Sequence, residues 1–146
     1  MSGTLTERIA LVNERIVQAC RRSGRSSSEV KLVAVTKMTT VETIMDALQC
    51  GLHNFGENRV QDFLTKYKEI SEDAEWHLIG HLQRNKAKYL VGKVDMIHSL
   101  DRLSLARLLD RLSEVQGHPW QVLVQVNVSG EDTKYGLSPE ELPEFL

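Results

Sequence analysis

Short strand patterns and amphipathic helix patterns alternate five times along this chain. Such alternation, with no linker, internal repeat or low-complexity tract between the elements, predicts βα units on a parallel sheet. The strand patterns cover residues 31–37, 54–58, 75–80, 95–100 and 121–128. The alternation therefore limits the fold to two architectures, an open doubly wound sheet or part of a (β/α) barrel.

The nucleotide-binding motifs typical of the open sheet are missing from this sequence. Neither G-x-G-x-x-G nor G-x-x-x-x-G-K-[ST] follows any of the strand patterns. A complete barrel needs about eight units and roughly 200 residues, whereas this chain has 146 residues. We therefore predict an α/β fold in which residues 1–146 form a single domain. That domain is expected to be the N-terminal portion of a TIM-type (β/α) barrel, truncated after five units and preceded by a helix over residues 5–22.

The first strand pattern, residues 31–37, ends on a lysine. Alternation along the strand places Val33, Val35 and Lys37 on one face. If the two valines are buried, Lys37 at the strand end would enter a partly desolvated pocket, where the neutral amine is favoured. A neutral amine is the nucleophile that condenses with an aldehyde to give a Schiff base. The alternative is that Lys37 leaves the strand for solvent, with its stem lying along apolar surface.

Polar residues also follow the other predicted strands. Functional side chains of barrels gather at the C-terminal ends of the strands, so these segments are expected to surround one site. The segments are residues 55–58, 80–83, 98–101 and 127–136. Polar groups that cluster where the architecture places a site are a stronger signal than any one of them alone.

Several of these residues also have a purely structural interpretation. Glu57 and Asp101 suit the N-terminus of the following helix, where an acidic side chain is favourable. His98, on a strand, is typical of a core histidine with one satisfied nitrogen. His77 and His81 lie on a strand and its following loop, where they cannot meet as they would on a helix. Since no cysteine or carboxylate completes a zinc pattern with them, we predict no metal site.

Charge and cysteine usage argue against several classes of partner. The net charge is −2 and the pI is near 6.2, so nothing indicates binding to nucleic acid or to an anionic membrane. Cys20 and Cys50 have no partner motif, and the N-terminus lacks the apolar region of a signal peptide. No stretch approaches the ~20 apolar residues of a membrane span. The sequence thus predicts a cytoplasmic protein with reduced thiols.

Five motifs carry a resemblance to a known family. They are LVAVTK at residues 32–37, FGENRVQ at 55–61, WHLIGHLQ at 76–83, IHSLD at 97–101 and VQVNVSG at 124–130. In this order and spacing they resemble the pyridoxal phosphate homeostasis proteins, and the resemblance extends from the first helix to the end of the chain. It implies a barrel similar to the N-terminal domain of alanine racemase, with pyridoxal 5′-phosphate held as an internal aldimine and no established catalytic turnover.

The resemblance also implies cofactor-binding roles for three residues and a catalytic role for none. Lys37 would be the aldimine lysine, and Asn58 would lie beside the cofactor ring. His81 and the loop that begins at Asn127 would form walls of the site. The family often has a proline within three residues of the lysine, whereas Met38-Thr-Thr follows it here. The family's phosphate-holding segment and the arginine that faces the pyridine nitrogen would lie beyond residue 146.

Two enzyme classes and a structural role are the alternatives. A pyridoxal phosphate-dependent racemase or decarboxylase needs a second acid or base on the opposite face of the cofactor, and this sequence has no clear candidate. A class I aldolase would form its Schiff base with the substrate. A partial barrel with exposed edge strands would self-associate, while the complete protein is expected to be monomeric, with the small-molecule cofactor as its partner. The valines expected to be uncovered are Val33, Val35, Val122, Val124 and Val126.

Overall fold

Five short parallel strands form one sheet in the computed structural model, which describes residues 3–70, 73–131 and 133–146. Each strand pairs with the next one along the chain, so the order in the sheet is the order in the sequence. A doubly wound sheet reverses its strand order at a switch point, whereas this sheet keeps the order of a barrel wall. The strands are β1 (Ala34–Val35), β2 (Asn54–Glu57), β3 (Glu75–Leu78), β4 (Met96–Leu100) and β5 (Gln121–Val124).

Helices connect the strands, and the predicted α/β class with five parallel strands is confirmed. The α-helices are α1 (Leu5–Arg22), α2 (Val41–Gln49), α3 (Val60–Tyr67), α4 (Leu103–Gln116) and α5 (Leu142–Phe145), with 3₁₀ helices at Ser27–Glu29 and Arg84–Leu90. The first helix has the predicted bounds, and its start is fixed by a reciprocal capping box of Thr4 and Glu7. None of the helices in the described ranges is long and apolar enough to cross a membrane.

The fifth strand is shorter than the sequence predicts. The alternating valines indicate a strand to residue 128, but β5 ends at Val124. Beyond that point Val126 forms an isolated parallel bridge with Leu137. The Leu137 N–H donates to the Gln125 carbonyl at 2.9 Å, and the Asn127 N–H donates to the Leu137 carbonyl at 2.7 Å. The chain therefore leaves the sheet because a downstream segment satisfies its backbone groups instead.

The hydrophobic core lies between the sheet and the helices. Phe55 and Trp76, on adjacent strands, are register partners whose ring centroids lie 5.7 Å apart. Phe63 of α3 packs edge-on against Trp76, with their ring centroids 5.4 Å apart. Aromatic pairs favour this geometry. Leu78 and Ile97 are fully buried on the same face. The middle of this face of the sheet is consequently apolar.

The opposite face of the sheet is exposed at both edge strands. Ala34 of β1 and Val122 of β5 pack against the core, so alternation turns Val35 and Leu123 away from it. Their side chains are 52% and 47% exposed. The expectation that Val35 is buried beside Lys37 is therefore wrong, because Val35 points away from the side on which the core forms.

An imidazole pair lies on this second face. His77 of β3 is buried, and its Nδ1 is 2.8 Å from Nε2 of His98 on β4. His98 thus has the satisfied nitrogen expected of it, but the prediction of a core histidine is wrong, because His98 is half-buried on the face opposite the core. Burial lowers the pKa of both rings. The pKa of His77 is lowered further by His98 and Lys31, while the carboxylates of Asp95 and Glu75 partly oppose the shift.

This pair makes stability sensitive to mild acid. Because the folded pKa values of His77 and His98 lie below the ordinary 6.5, the unfolded chain binds protons first as pH falls. The stabilisation is fully present above about pH 6.5 and is lost below it. We expect the melting temperature of His98→Gln to fall less than that of the wild type between about pH 7.5 and pH 5.5. His118→Gln, at an exposed position, is the control, and equal losses in all three proteins would contradict the assignment.

Candidate functional site

Lys37 lies in a tight turn directly after β1. The turn is closed by the Thr39 N–H, which donates to the Thr36 carbonyl at 2.9 Å. Met38 occupies the left-handed region at φ +60°, which is unfavourable for a residue with a Cβ. Lys37 is exposed, so the expected partly desolvated pocket is not formed by the part of the chain that the structure describes. Within that part, no carboxylate lies within ion-pair distance of its amine.

Asn58 follows β2 and is also exposed. Its backbone packs directly on Gly80, at the end of the neighbouring strand. A Cβ added at Gly80 would lie 2.8 Å from Asn58 Cα and closer still to its carbonyl oxygen. The Ile79 N–H donates to the Glu57 carbonyl at 2.9 Å and fixes the same approach. Only glycine therefore permits the ends of β2 and β3 to come together in this way.

His81 lies beyond β3, half-buried, between two other segments. Its Nδ1 is 3.2 Å from Asp101 Oδ2, and its ring stacks on Tyr135 with a centroid separation of 3.7 Å. Asp101 also pairs with Arg102, whose guanidinium donates to the Leu82 carbonyl at 2.7 Å. The interpretation of Asp101 as the cap of α4 is wrong, because Arg102 occupies the N-cap position and the Asp101 carboxylate is engaged by these side chains.

The structure brings Asn58 and His81 to one cavity. The cavity has a volume of about 290 Å³ and is also lined by Arg59, Gln83 and Lys86. Lys37 does not line it but stands at the end of the adjacent strand β1. Arg59 and Lys86 give this cavity two cationic side chains, which favour an anionic ligand. No group of three or more potential metal ligands occurs within residues 3–70, 73–131 and 133–146.

The loop after Val126 is held by its own side chains. The Asn127 side-chain amide donates to the Glu131 carbonyl at 3.0 Å, and Lys134 pairs with the Glu131 carboxylate at 2.5 Å. Asp132, within the predicted segment 127–136, lies outside the described residues. Through the stacking of Tyr135 on His81, this loop reaches the candidate site. The Asn127 side chain itself is used to hold the loop.

Sequence reasoning missed a buried polar cluster beneath Lys37. Glu57 is fully buried, and its carboxylate is 2.5 Å from Lys66 Nζ and 2.8 Å from Thr36 Oγ1. Glu57 does not cap α3, because Arg59 occupies the N-cap position and the helix has no side-chain cap. The sequence signal for this cluster was the position of Thr36. Alternation along the strand turns its side chain to the face opposite Lys37, toward the helices.

The sequence of this chain is similar to those of known proteins. Residues 13–146 match the family model described as the alanine racemase N-terminal domain. The pyridoxal phosphate homeostasis protein of Aquifex aeolicus is 48% identical over 141 residues, which are 96% of this chain and 62% of that protein. The protein of the same name from Vibrio cholerae is 38% identical over 95% of this chain and 61% of its own length. The resemblance predicted from the motifs is confirmed.

Solved structures extend the similarity to the backbone. PipY of Synechococcus elongatus with PLP bound is 35% identical and has a TM-score of 0.78 over 97% of this chain and 63% of its own. PipY without PLP is 36% identical, with a TM-score of 0.80 over 97% of this chain and 64% of its own. The chain thus spans about 62% of the length of the curated relatives described above.

Proposed function

Because this chain belongs to the alanine racemase N-terminal domain family, we propose that it binds pyridoxal 5′-phosphate through Lys37 as a non-catalytic homeostasis protein. The observation that carries the proposal is the backbone similarity to PipY with PLP bound, over 97% of this chain. The curated relatives named above are pyridoxal phosphate homeostasis proteins. The position of Lys37, with an accessible amine at a strand end, is the chemical support.

The proposed linkage joins the amine of Lys37 to the aldehyde of the cofactor. Lys37 would hold the cofactor through its amine, and the cofactor would supply the aldehyde with which an amine condenses, with release of water. Asn58 and His81, which share a cavity with Arg59 and Lys86, are proposed to border the ring and its phosphate. The cationic side chains favour an anionic ligand. The name of the curated relatives, homeostasis protein, is the reason that we propose binding without turnover.

Titration with pyridoxal 5′-phosphate tests this function. A visible absorption band is expected to rise, and borohydride reduction followed by peptide mass spectrometry should place the cofactor mass on Lys37. Attachment mainly to Lys134, an exposed lysine in a loop, would contradict the site. Borohydride trapping of a sugar-like carbonyl compound without any cofactor band would support the aldolase alternative. Racemisation of alanine above the rate with cofactor alone would contradict the absence of turnover.

We further infer that residues 1–146 form one domain, a partial barrel, in a cytoplasmic protein. One continuous sheet and one core cluster support the single domain. Cys20 is buried and Cys50 is half-buried, and both are free thiols, as is typical of a reducing compartment.

Self-association of the 146-residue chain is expected from its sheet. Val35 and Leu123 are exposed on the two edge strands, and unpaired edges template association. The predicted exposure is wrong for Val122 and Val124, which pack against the core instead. Gel filtration with light scattering should give a mass above 16.6 kDa. Replacement of Val35 and Leu123 by lysine should restore the monomer, and a monodisperse wild-type monomer would contradict the inference.

A further inference from the structure

The residue before Lys37 has all its polar groups engaged. The Thr36 N–H donates to the Gly56 carbonyl at 3.0 Å, and its hydroxyl donates to Glu57 Oε1 at 2.8 Å. Its carbonyl accepts from the Thr39 N–H at 2.9 Å and from Lys66 Nζ at 2.7 Å. Thr36 is buried at 4% exposure. The backbone from which Lys37 projects is therefore fixed from three sides, by β2, by α3 and by its own turn.

The Glu57 carboxylate also reaches Asn58, the second residue proposed to bind the cofactor. Glu57 Oε1 accepts from Thr36 and Lys66, while Oε2 accepts from the Asn58 N–H at 3.3 Å. The side chains of Glu57 and Lys66 are 0% and 11% exposed. One buried ion pair thus connects the ends of β1 and β2 with α3. It does so on the face of the sheet opposite the one to which Lys37 projects.

A purely stabilising role explains this arrangement poorly. A buried ion pair often contributes little net stability, since desolvation offsets the attraction between its charges. The turn that the pair supports is strained, with Met38 at φ +60°. Strained backbone persists where the surrounding structure holds it, and it is concentrated at functional sites.

We propose that Thr36, Glu57 and Lys66 form a positioning cluster that sets the direction of the Lys37 amine and the place of Asn58. The cluster touches neither cofactor nor substrate and acts only through the backbone. This inference rests on the proposed role of Lys37. The rate at which Lys37 captures the cofactor then depends on residues whose side chains lie on the opposite face of the sheet.

Two single variants separate the parts of the cluster. Thr36→Val removes the hydroxyl donor while keeping the branched shape and the ion pair. Lys66→Met removes the donor to the Thr36 carbonyl. Because Lys66→Met leaves a buried carboxylate unpaired, the double variant Glu57→Gln/Lys66→Met provides a neutral version of the same change. Lys31→Met is the matched control, since it breaks a 2.5 Å lysine–glutamate pair that joins the segment before β1 to the start of β3.

The first readout is the rate constant for formation of the cofactor band. Misplacement of a reacting group by about 1 Å can cost on the order of 100-fold in rate, so we expect a loss of about tenfold or more in Thr36→Val and in the double variant. Thr36→Ser should restore the rate, and Lys31→Met should match the wild type. Thermal melts identify any variant that is unfolded. A merely structural cluster would lower the melting temperature without changing the rate constant of the folded protein.

The second readout needs no cofactor. Amide hydrogen exchange should accelerate at Thr39 and Asn58 in the cluster variants and remain unchanged in Lys31→Met. If the wild type fixes no cofactor on Lys37, the proposed function fails, and exchange at these two amides still decides whether the cluster positions the backbone. Unchanged exchange would overturn the inference. So would capture rates within twofold of the Lys31→Met control.

Discussion

Replacing Lys37 by alanine is expected to abolish covalent capture of pyridoxal 5′-phosphate while changing the free energy of unfolding by less than about 0.5 kcal/mol. The side chain is exposed and pairs with no described carboxylate, so its removal leaves neither a cavity nor a buried partner. Its amine is the nucleophile of the proposed linkage. The measurements are the visible band, borohydride fixation and a urea denaturation curve.

Lys88→Ala is the control for this variant. Lys88 is another exposed lysine, located on the 3₁₀ helix after β3, and its loss should leave capture unchanged. A band of undiminished size in Lys37→Ala would remove Lys37 from the site. A loss of stability well above the expected value would instead assign the lysine a structural role.

Gly80→Ala is expected to destabilise the protein by about 1–3 kcal/mol or more, the range for overpacking in a close-packed structure. The new Cβ would lie 2.8 Å from Asn58 Cα, and backbone cannot move aside as the end of a flexible side chain can. The ends of β2 and β3 must then separate, which displaces Asn58. Urea denaturation measures the first effect, and the amide chemical shift of Asn58 reports the second.

Gly56→Ala is the matched comparison on the neighbouring strand. There a Cβ would meet side-chain carbons of Ile79 at 3.1 Å and Val33 at 3.2 Å. These side chains can shift by a few tenths of an ångström, so the loss of stability should be smaller than for Gly80→Ala. Equal losses, or an unmoved Asn58 amide in Gly80→Ala, would contradict the argument from backbone contact.

The sequence predicts the elements whose signals are local. The capping box of Thr4 and Glu7 defines the start of α1, and period-two and period-3.6 patterns identify strands and helices. The rule that strand ends carry function leads to the segments that contain Lys37, Asn58 and His81, and the family resemblance singles out these three residues. Their roles as cofactor-binding residues remain predictions.

The features that sequence reasoning missed depend on contacts between distant segments. The carboxylate of Glu57 looks like a helix cap until Lys66 and Thr36 are seen to enclose it. The early end of β5 depends on Leu137, which lies beyond a loop. The stacking of His81 on Tyr135 likewise joins two loops that are far apart in the chain. None of these contacts leaves a periodic signal, because each is made by one residue on each side.

The sequential order of the strands also bears on how the chain reaches its fold during synthesis. Ala34 pairs with Phe55, and Phe55 in turn pairs with Trp76, so each strand meets its partner within one βα unit. A newly emerged strand therefore finds the edge of the previous one already outside the ribosome and closes only a short loop to reach it. Such nearby contacts favour fast folding. The sheet can consequently grow one unit at a time behind the advancing chain, as the stacked units of a repeat protein do.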